Sequence, residues 1–243
     1  MSSTQPNLSA NRLLAEMPAE AFAVLQPHFT LVEAPLRTVL AEANTPTAFV
    51  YFLLEGIAST TITTGRGRRL EIGLFGREGM SPTAMLLGAD RTPYETFMQV
   101  GGAALRAPAA ALTDALQSCT PLRAFLLRYA QTVLVQAGQT ALANGAFKIE
   151  ERTARWLLMC HDRIDGDMLP ITHEFLGFML AVRRSGVTEA IHVLEGEGMV
   201  RARRGVIEIV DRTGLERIAG ESYGTAEAEY ERLVGPWRPP SRP

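Results

Sequence analysis

Residues 169–210 read LPITHEFLGFMLAVRRSGVTEAIHVLEGEGMVRARRGVIEIV, and this stretch decides the fold. Thr172 is the expected N-cap of a first helix, with Glu174 in the first turn where the helix dipole favours negative charge. Phe175, Leu176, Met179 and Leu180 recur at helical spacing and form one apolar face. Ala181-Val182-Arg183-Arg184 is the expected turn, and Ser185 the expected N-cap of a second helix. Val187, Ile191 and Leu194 fall at i, i+4 and i+7 and face the core. Ser185, Thr188, Glu189 and His192 are left on the opposite face, with Arg183 and Arg184 at its N-terminal end. Gly196 and Gly198 stop the helix. Met199 to Ala202 and Val206 to Val210 are β-rich runs joined through Arg203-Arg204-Gly205. Helix, turn, helix and basic hairpin is the layout of a winged helix-turn-helix, which sets its second helix in the major groove of DNA. Arg201, Arg203 and Arg204 are then expected to meet phosphates at the wing.

Upstream, the pattern changes twice. From Phe29 to Arg106 short β-rich runs recur, FTLVEA, TAFVYFLLEGIASTTITT, RRLEIGLF, TFMQV and GAALRAP, separated by Gly and Pro turns. Such spacing predicts a compact β-roll or barrel. GRGRR at 65–69 is a hairpin tip, and 81–90 a helical turn within the roll. From Ala109 the pattern is helical. Pro121 to Ala143 reads as one long helix carrying a seam of Leu122, Leu126, Tyr129, Val133, Ala137, Thr140 and Ala141 near heptad spacing. The seam suits both packing on the roll and a two-fold dimer. Asn144-Gly145 is the expected break or hinge. Lys148 to Asp162 follows as a helix, then a polar loop over 163–167. Asp211 caps a last helix ending near Gly220, and PWRPPSRP at the end is extended.

The expected organisation is thus α+β. A helical segment over 1–28, its first ten residues disordered, precedes a β-roll over 29–108. A long helix and hinge follow over 109–147, a winged helix-turn-helix over 148–223 and a tail over 224–243.

Composition bounds the function. The chain has 243 residues, 47% of them hydrophobic, enough to bury a full core. No run of about 20 apolar residues exists, so no membrane span is expected. The N-terminus lacks an apolar signal core, so export is not expected and a cytoplasmic location is. Cys119 and Cys160 cannot supply the four thiolates of a usual iron–sulfur cluster. His28, His161, His173 and His192 form no ligand set, so no metal is expected. The net charge is −2, and from Lys148 onward 14 basic side chains face 16 acidic ones. A DNA reader with that balance needs a basic face, not a basic total. No nucleophile elbow or phosphate loop is present, so an enzyme is not expected.

The order of these modules resembles the Crp/Fnr superfamily of bacterial transcription regulators, from about residue 20 to 223. KIEERTARWLL at 148–158 and the helix-turn-helix carry the resemblance most specifically, with VYFLLEGIAS, EIGLFGREGM and LLGADRTPYE in the roll. It implies a cyclic-nucleotide-binding-like, cupin-like sensor roll, a homodimer joined through the long helix, a palindromic double-stranded DNA operator, and RNA polymerase as a further partner. It places the effector pocket near Gly79, Ser81, Thr83, Arg91, Thr92, Tyr129 and Val133. Cyclic-nucleotide-binding members carry Gly-Glu and Arg-Ser or Arg-Thr pairs. Here Pro82-Thr83 stands at the first, and Arg91-Thr92 lies near the second. Pro82 removes a backbone donor. A cyclic nucleotide is therefore not expected, and the effector stays unidentified. Many members read DNA with a Glu followed three and four residues on by Ser-Arg. Ser185, Thr188 and Glu189 hold those places here, so base reading shifts toward Arg183 and Arg184. The alternative is a ligand-sensing or protein-interaction module without sequence-specific DNA binding.

Overall fold

The computed structural model describes residues 10–67 and 69–237. The expectations for residues 1–9, Arg68 and 238–243 lie outside them. Cα proximity divides the chain into two units. The first comprises Met1–Ala58, Phe75–Gln131 and Leu233–Gly235, the second Ser59–Leu74, Thr132–Arg232 and Pro236–Pro243. This grouping cuts across the 29–108 segment and assigns the GRGRR hairpin to the C-terminal half.

Unit 1 begins with α1 (Arg12–Ala15) and α2 (Ala19–Leu25), the latter entered from Pro18 as its N-cap. Asn11 is fully buried and caps α1 by accepting the Leu14 N–H at 2.9 Å. Its amide nitrogen donates to the carbonyls of Leu53 and Gly79, each at 2.9 Å, which fastens the N-terminus to the strands. The strands are β1 (Thr30–Ala34), β2 (Val39–Ala41), β3 (Phe49–Leu53), β4 (Ile57–Thr63), β5 (Arg69–Phe75), β6 (Met80–Ser81), β7 (Glu95–Val100) and β8 (Gly102–Pro108). One antiparallel sheet has the order β1-β8-β3-β6. β2 pairs antiparallel with β7 across an irregularity between Val39 and Ala41. A core of Ala34, Leu40, Leu53, Ala58, Phe75, Met98 and Ala104 forms on the inward faces. Burial of this apolar surface is the main stabilising contribution, at about 25 cal/mol per Å².

The β-rich runs of the sequence all became strands. β2 and β6 were not expected, because three- and two-residue strands leave no periodicity to read. The helical turn expected over 81–90 is a 3-10 turn at Thr83–Leu87, and Ser81 belongs to β6.

α3 (Ala109–Ser118) leads into α4 (Thr120–Ala146), a helix of 27 residues. The expected break at Asn144-Gly145 is absent. Helix propagation adds a hydrogen bond for each residue fixed, which absorbs a Gly cost of about 1 kcal/mol. Asn144 is also held, since its side-chain oxygen accepts from Arg152 Nη2 at 2.7 Å. The helix stops after Ala146 instead.

Unit 2 holds the β4–β5 hairpin, whose tip closes with the Gly67 N–H donating to the Thr64 carbonyl at 2.8 Å. It continues with α5 (Ile149–His161), β9 (Met168–Leu169), α6 (His173–Leu180), α7 (Arg184–Gly196), β10 (Val200–Arg203), β11 (Val206–Ile209), α8 (Arg212–Ala219) and α9 (Thr225–Leu233). α5 packs against α7 and α8, and α6 against α7. α8 has the expected cap, Asp211 accepting the Gly214 N–H at 2.9 Å. One expectation fails here. α9 occupies what read as tail. Its TAEAEYERL is rich in helix formers but offers one buried residue, Tyr230, so it lacks an apolar stripe. The 163–167 loop is not wholly polar surface, because Arg163 is 1% exposed. Its guanidinium donates to the Met159 carbonyl at 2.7 Å and stands 5.3 Å from the centre of the Trp237 ring.

Candidate nucleic-acid interface

α6 starts as the sequence predicts, with the Thr172 hydroxyl accepting the Phe175 N–H at 3.1 Å. It buries Leu176, Met179 and Leu180, and Phe175 is half-buried. The turn to α7 passes through Ala181 in the left-handed region at φ 53°, an uncommon position for a non-glycine. Gly177 makes room for it: a Cβ there would lie 3.1 Å from the Val182 carbonyl oxygen. That crowding fixes the angle at which α7 leaves the turn.

α7 is capped by Arg183 with extended backbone and no side-chain cap. Ser185 therefore sits inside the first turn and is not the N-cap. The chain enters the helix two residues earlier than a Ser-cap rule places it. The first-turn N–H groups consequently lie among Arg183, Arg184 and Ser185, all exposed. Val187, Ala190, Ile191 and Leu194 are fully buried, while Glu189 and His192 are exposed and Thr188 is half-buried. The predicted division of the helix into a buried face and an exposed face holds.

Thr188 is not free to turn. Its hydroxyl donates to the Arg184 carbonyl at 3.0 Å and lies 3.2 Å from His173 Nδ1. The single hydroxyl proton goes to the carbonyl, so His173 carries a proton on Nδ1 and donates it. Burial, then the charges of Arg184 and His192, hold the His173 ring below its ordinary pKa. Sequence reading passed over His173 because a lone His at a helix start gives no signal of a partner fifteen residues on.

The wing is the β10–β11 hairpin, in register from Val200↔Ile209 to Arg203↔Val206, with Arg204-Gly205 as the turn and Gly205 at φ 79°. β9 adds a third strand against β11, which sequence reading did not include. The three wing arginines differ. Arg203 and Arg204 are exposed toward the tip, but Arg201 Nη1 donates to Glu208 Oε2 at 3.0 Å. Arg203 reaches the same oxygen at only 3.9 Å. Arg201 faces Glu208 directly across the ladder, so an in-chain carboxylate competes with any phosphate for it. Glu195 of α7 accepts the Ala202 N–H at 2.6 Å and so ties the helix to the wing.

Beneath this surface α8 is clamped by Arg212. Its Nη2 lies 2.8 Å from Asp162 Oδ1, while hydrogen bonds run from the guanidinium to the Tyr223 hydroxyl at 2.7 Å, to Glu216 Oε1 at 2.8 Å and to His161 Nδ1 at 3.1 Å. Tyr223 in turn donates to Asp162 Oδ2 at 2.7 Å. Burial works against the charge of Arg212, but the Asp162 carboxylate, followed by Tyr223 and Glu216, outweighs it and holds the guanidinium above its ordinary pKa.

Of the expected effector residues, Gly79 and Tyr129 meet at β6, beside the buried Ser81. The Tyr129 hydroxyl accepts the Met80 N–H and donates to the Met80 carbonyl, both at 3.0 Å, and a Cβ at Gly79 would collide with it. Tyr129 is thereby committed to backbone. Thr83 lies in the 3-10 turn, and Thr92 is half-buried in the following loop. Arg91 points to the surface, where its Nη2 pairs with Asp90 Oδ2 at 2.8 Å. Val133 belongs to unit 2.

The residues of the expected α4 seam differ in burial along the helix. Leu122, Leu126 and Tyr129 are buried within their own chain, and Val133, Ala137 and Thr140 are half-buried. Of that set only Ala141 is exposed. A second series, Ala124, Leu127, Gln131, Leu134, Gly138, Ala141 and Gly145, is exposed throughout and repeats at three- and four-residue steps. Leu127 is 43% and Leu134 55% exposed. Both stripes were present in the sequence, and the more apolar one went to the chain's own core.

The chain thus combines antiparallel sheets, a long helix and a helix-turn-helix followed by a β-hairpin wing. Residues 151–218 match the family model of the Crp-like helix-turn-helix domain. No curated protein matches the chain. Among solved structures, a Crp/Fnr-family transcriptional regulator from Eubacterium rectale is similar at 16% identity and TM-score 0.68, over 87% of this chain and 99% of its own. FixK2 from Bradyrhizobium japonicum is similar at 16% identity and TM-score 0.68, over 79% and 98% of the two chains. A CRP-family regulator from Thermus thermophilus is similar at 17% identity and TM-score 0.65, over 78% and 97%. Residues 151–218 are a Crp-like helix-turn-helix domain, and the chain has the fold of Crp/Fnr-family transcription regulators.

Proposed function

We propose that this protein is a homodimeric regulator that reads a palindromic DNA operator with α7 and answers to a small effector other than a cyclic nucleotide. The observation that carries the reading is α7 itself, buried along one face and exposed along the other, entered by two exposed arginines. Arg183 and Arg184 bind phosphate or guanine, and Arg203 and Arg204 bind phosphate at the wing. Ser185, Thr188, Glu189 and His192 line the reading face, where Glu189 accepts from a cytosine amino group. The exposed series on α4 joins two protomers, as a palindrome requires. Against a cyclic nucleotide stand the Asp90 partner of Arg91, which competes for a phosphate, and Pro82 in the roll.

The test is selection of a preferred site from random oligonucleotides, followed by footprinting at several salt concentrations. Replacing Arg183 and Arg184 together by Ala is expected to lower affinity by about 1–3 kcal/mol for every base edge no longer read. The salt slope is expected to fall by roughly one for every phosphate no longer neutralised. An unchanged footprint at unchanged affinity would remove both residues from the interface. Arg204→Ala is expected to weaken binding more than Arg201→Ala, because Glu208 already holds Arg201. Failure to select any sequence would favour a protein-interaction role for the helical half.

A further inference from the structure

The β4–β5 hairpin is fastened to the helices of unit 2 through one buried carboxyl group. Glu71 Oε2 is 2.6 Å from the Ser59 hydroxyl of β4, and Glu71 Oε1 accepts the Trp156 indole N–H of α5 at 2.9 Å. Beside it, Gln136 of α4 accepts the Leu74 N–H at 2.9 Å, and a Cβ at Gly73 would stand 3.1 Å from the same amide oxygen. Ser59, Glu71 and Trp156 are all buried. The charged groups that face Glu71 are Arg155 of α5 and Arg163 just after it. Both are engaged elsewhere, Arg155 on the Ser222 carbonyl at 2.8 Å and Arg163 on the Met159 carbonyl at 2.7 Å. Burial pushes Glu71 up to about 7, against the opposing pull of Ser59, Trp156 and the two arginines.

We propose that the Glu71 carboxyl is a proton-dependent latch docking the β4–β5 hairpin on α5, and that through it the DNA affinity of the α6–α7 motif responds to pH. The second half rests on the DNA-reading function proposed above. In the protonated form Oε2–H donates to the Ser59 oxygen while Oε1 keeps the indole bond. On ionisation the Ser59 hydroxyl turns to donate to Oε2, but the carboxylate is left buried away from water, and that desolvation is what weakens docking. Undocked, Glu71 titrates at the ordinary value of 4.5, and docked at about 7. Between these limits the docked state keeps a proton that the undocked state has released, so docking weakens as pH rises. The full weakening is roughly 300-fold and is complete above about pH 7. α5 packs on α7, so a docked hairpin orders the support of the recognition helix.

The test uses the full chain. The Trp156 indole N–H resonance, identified by its persistence in Trp237→Phe, and the amide protection of residues 59–63 and 69–74 are followed from pH 5 to 8. Wild type is expected to lose hairpin protection progressively as pH rises toward about 7, with no further loss above it, and Glu71→Gln to abolish this dependence. Trp156→Phe, which removes a bond favouring the charged form, is expected to move the hairpin transition to higher pH. A transition retained in Glu71→Gln, or none in wild type, overturns the latch. For the second half, Glu71→Gln and wild type are expected to bind a selected DNA site equally at pH 5 and to diverge with rising pH, the variant binding more tightly. A constant ratio across pH overturns the regulatory role. If no DNA site is selected, the DNA-reading function fails, and the resonance and protection data still decide the latch.

Discussion

Replacing Leu127 and Leu134 together by Glu is expected to turn a dimer into monomers, measured by sedimentation velocity at micromolar concentration. The two leucines are 43% and 55% exposed in the single chain, so the substitutions remove nothing from its core. Across a two-fold seam they bury four side chains, each contributing about 1.5–3 kcal/mol when fully removed from water. Loss of that burial and the introduction of like charges facing each other amount to at least a thousandfold in the dimer constant, by the tenfold-per-1.4 kcal/mol conversion. Binding to a palindrome is expected to fall with it, and binding to a half-site to remain. The informative control is Leu126→Ala. That residue is fully buried in its own chain, so the variant is expected to lose about 2–5 kcal/mol of folding stability and to remain dimeric where folded. A reversed outcome, with Leu126→Ala monomeric and Leu127→Glu/Leu134→Glu dimeric, would return the interface to the other face of α4.

The second large effect is expected at Asp162, which is fully buried against Arg212 and Tyr223. Asp162→Ala leaves the guanidinium with only the more exposed Glu216 carboxylate, 2.8 Å from Nε, and Tyr223 without its acceptor. Breaking a buried pair in this way costs about 3–5 kcal/mol, whereas replacing both partners by apolar groups costs far less. Urea denaturation read by circular dichroism should therefore show Asp162→Ala strongly destabilised. The double variant Asp162→Leu/Arg212→Met should recover much of the stability. A single variant within about 1 kcal/mol of wild type would mean that the pair is worth no more than a surface salt bridge. Arg212 is 17% exposed, so some solvent relief is available and the lower end of the range is expected.

The helix-turn-helix was legible because each level of its sequence agreed with the next. Thr172 caps, Leu176 and Met179 face inward, and Val187, Ile191 and Leu194 repeat at helical spacing. The long helix was legible for its length but not for its faces. The stripe through Leu122 and Leu126 and the stripe through Leu127 and Leu134 differ by a small rotation, and which of them meets the roll depends on residues far away in sequence. Likewise α9 was hidden because one buried tyrosine makes no period. The polar network was hidden for a further reason. Glu71 and Trp156 are 85 residues apart, and an isolated glutamate in a strand pattern gives no sign that an indole will find it. In the reading site, exposure and facing were foreseeable from spacing. The partners that restrain individual groups, His173 on Thr188 and Glu208 on Arg201, were not, since each bond depends on how two elements cross.

The bond from Glu195 to the Ala202 amide makes the recognition helix and the wing one mechanical part. Residues 183–203 carry the reading face, the fastening carboxylate and the first wing strand without a gap. If the segment reads DNA as proposed above, it is expected to behave as a cassette. Grafted onto another winged scaffold with Glu195 retained, it should carry its base preference along. With Glu195 replaced by Ala, helix and wing would be free to settle independently, and recognition would blur before affinity falls.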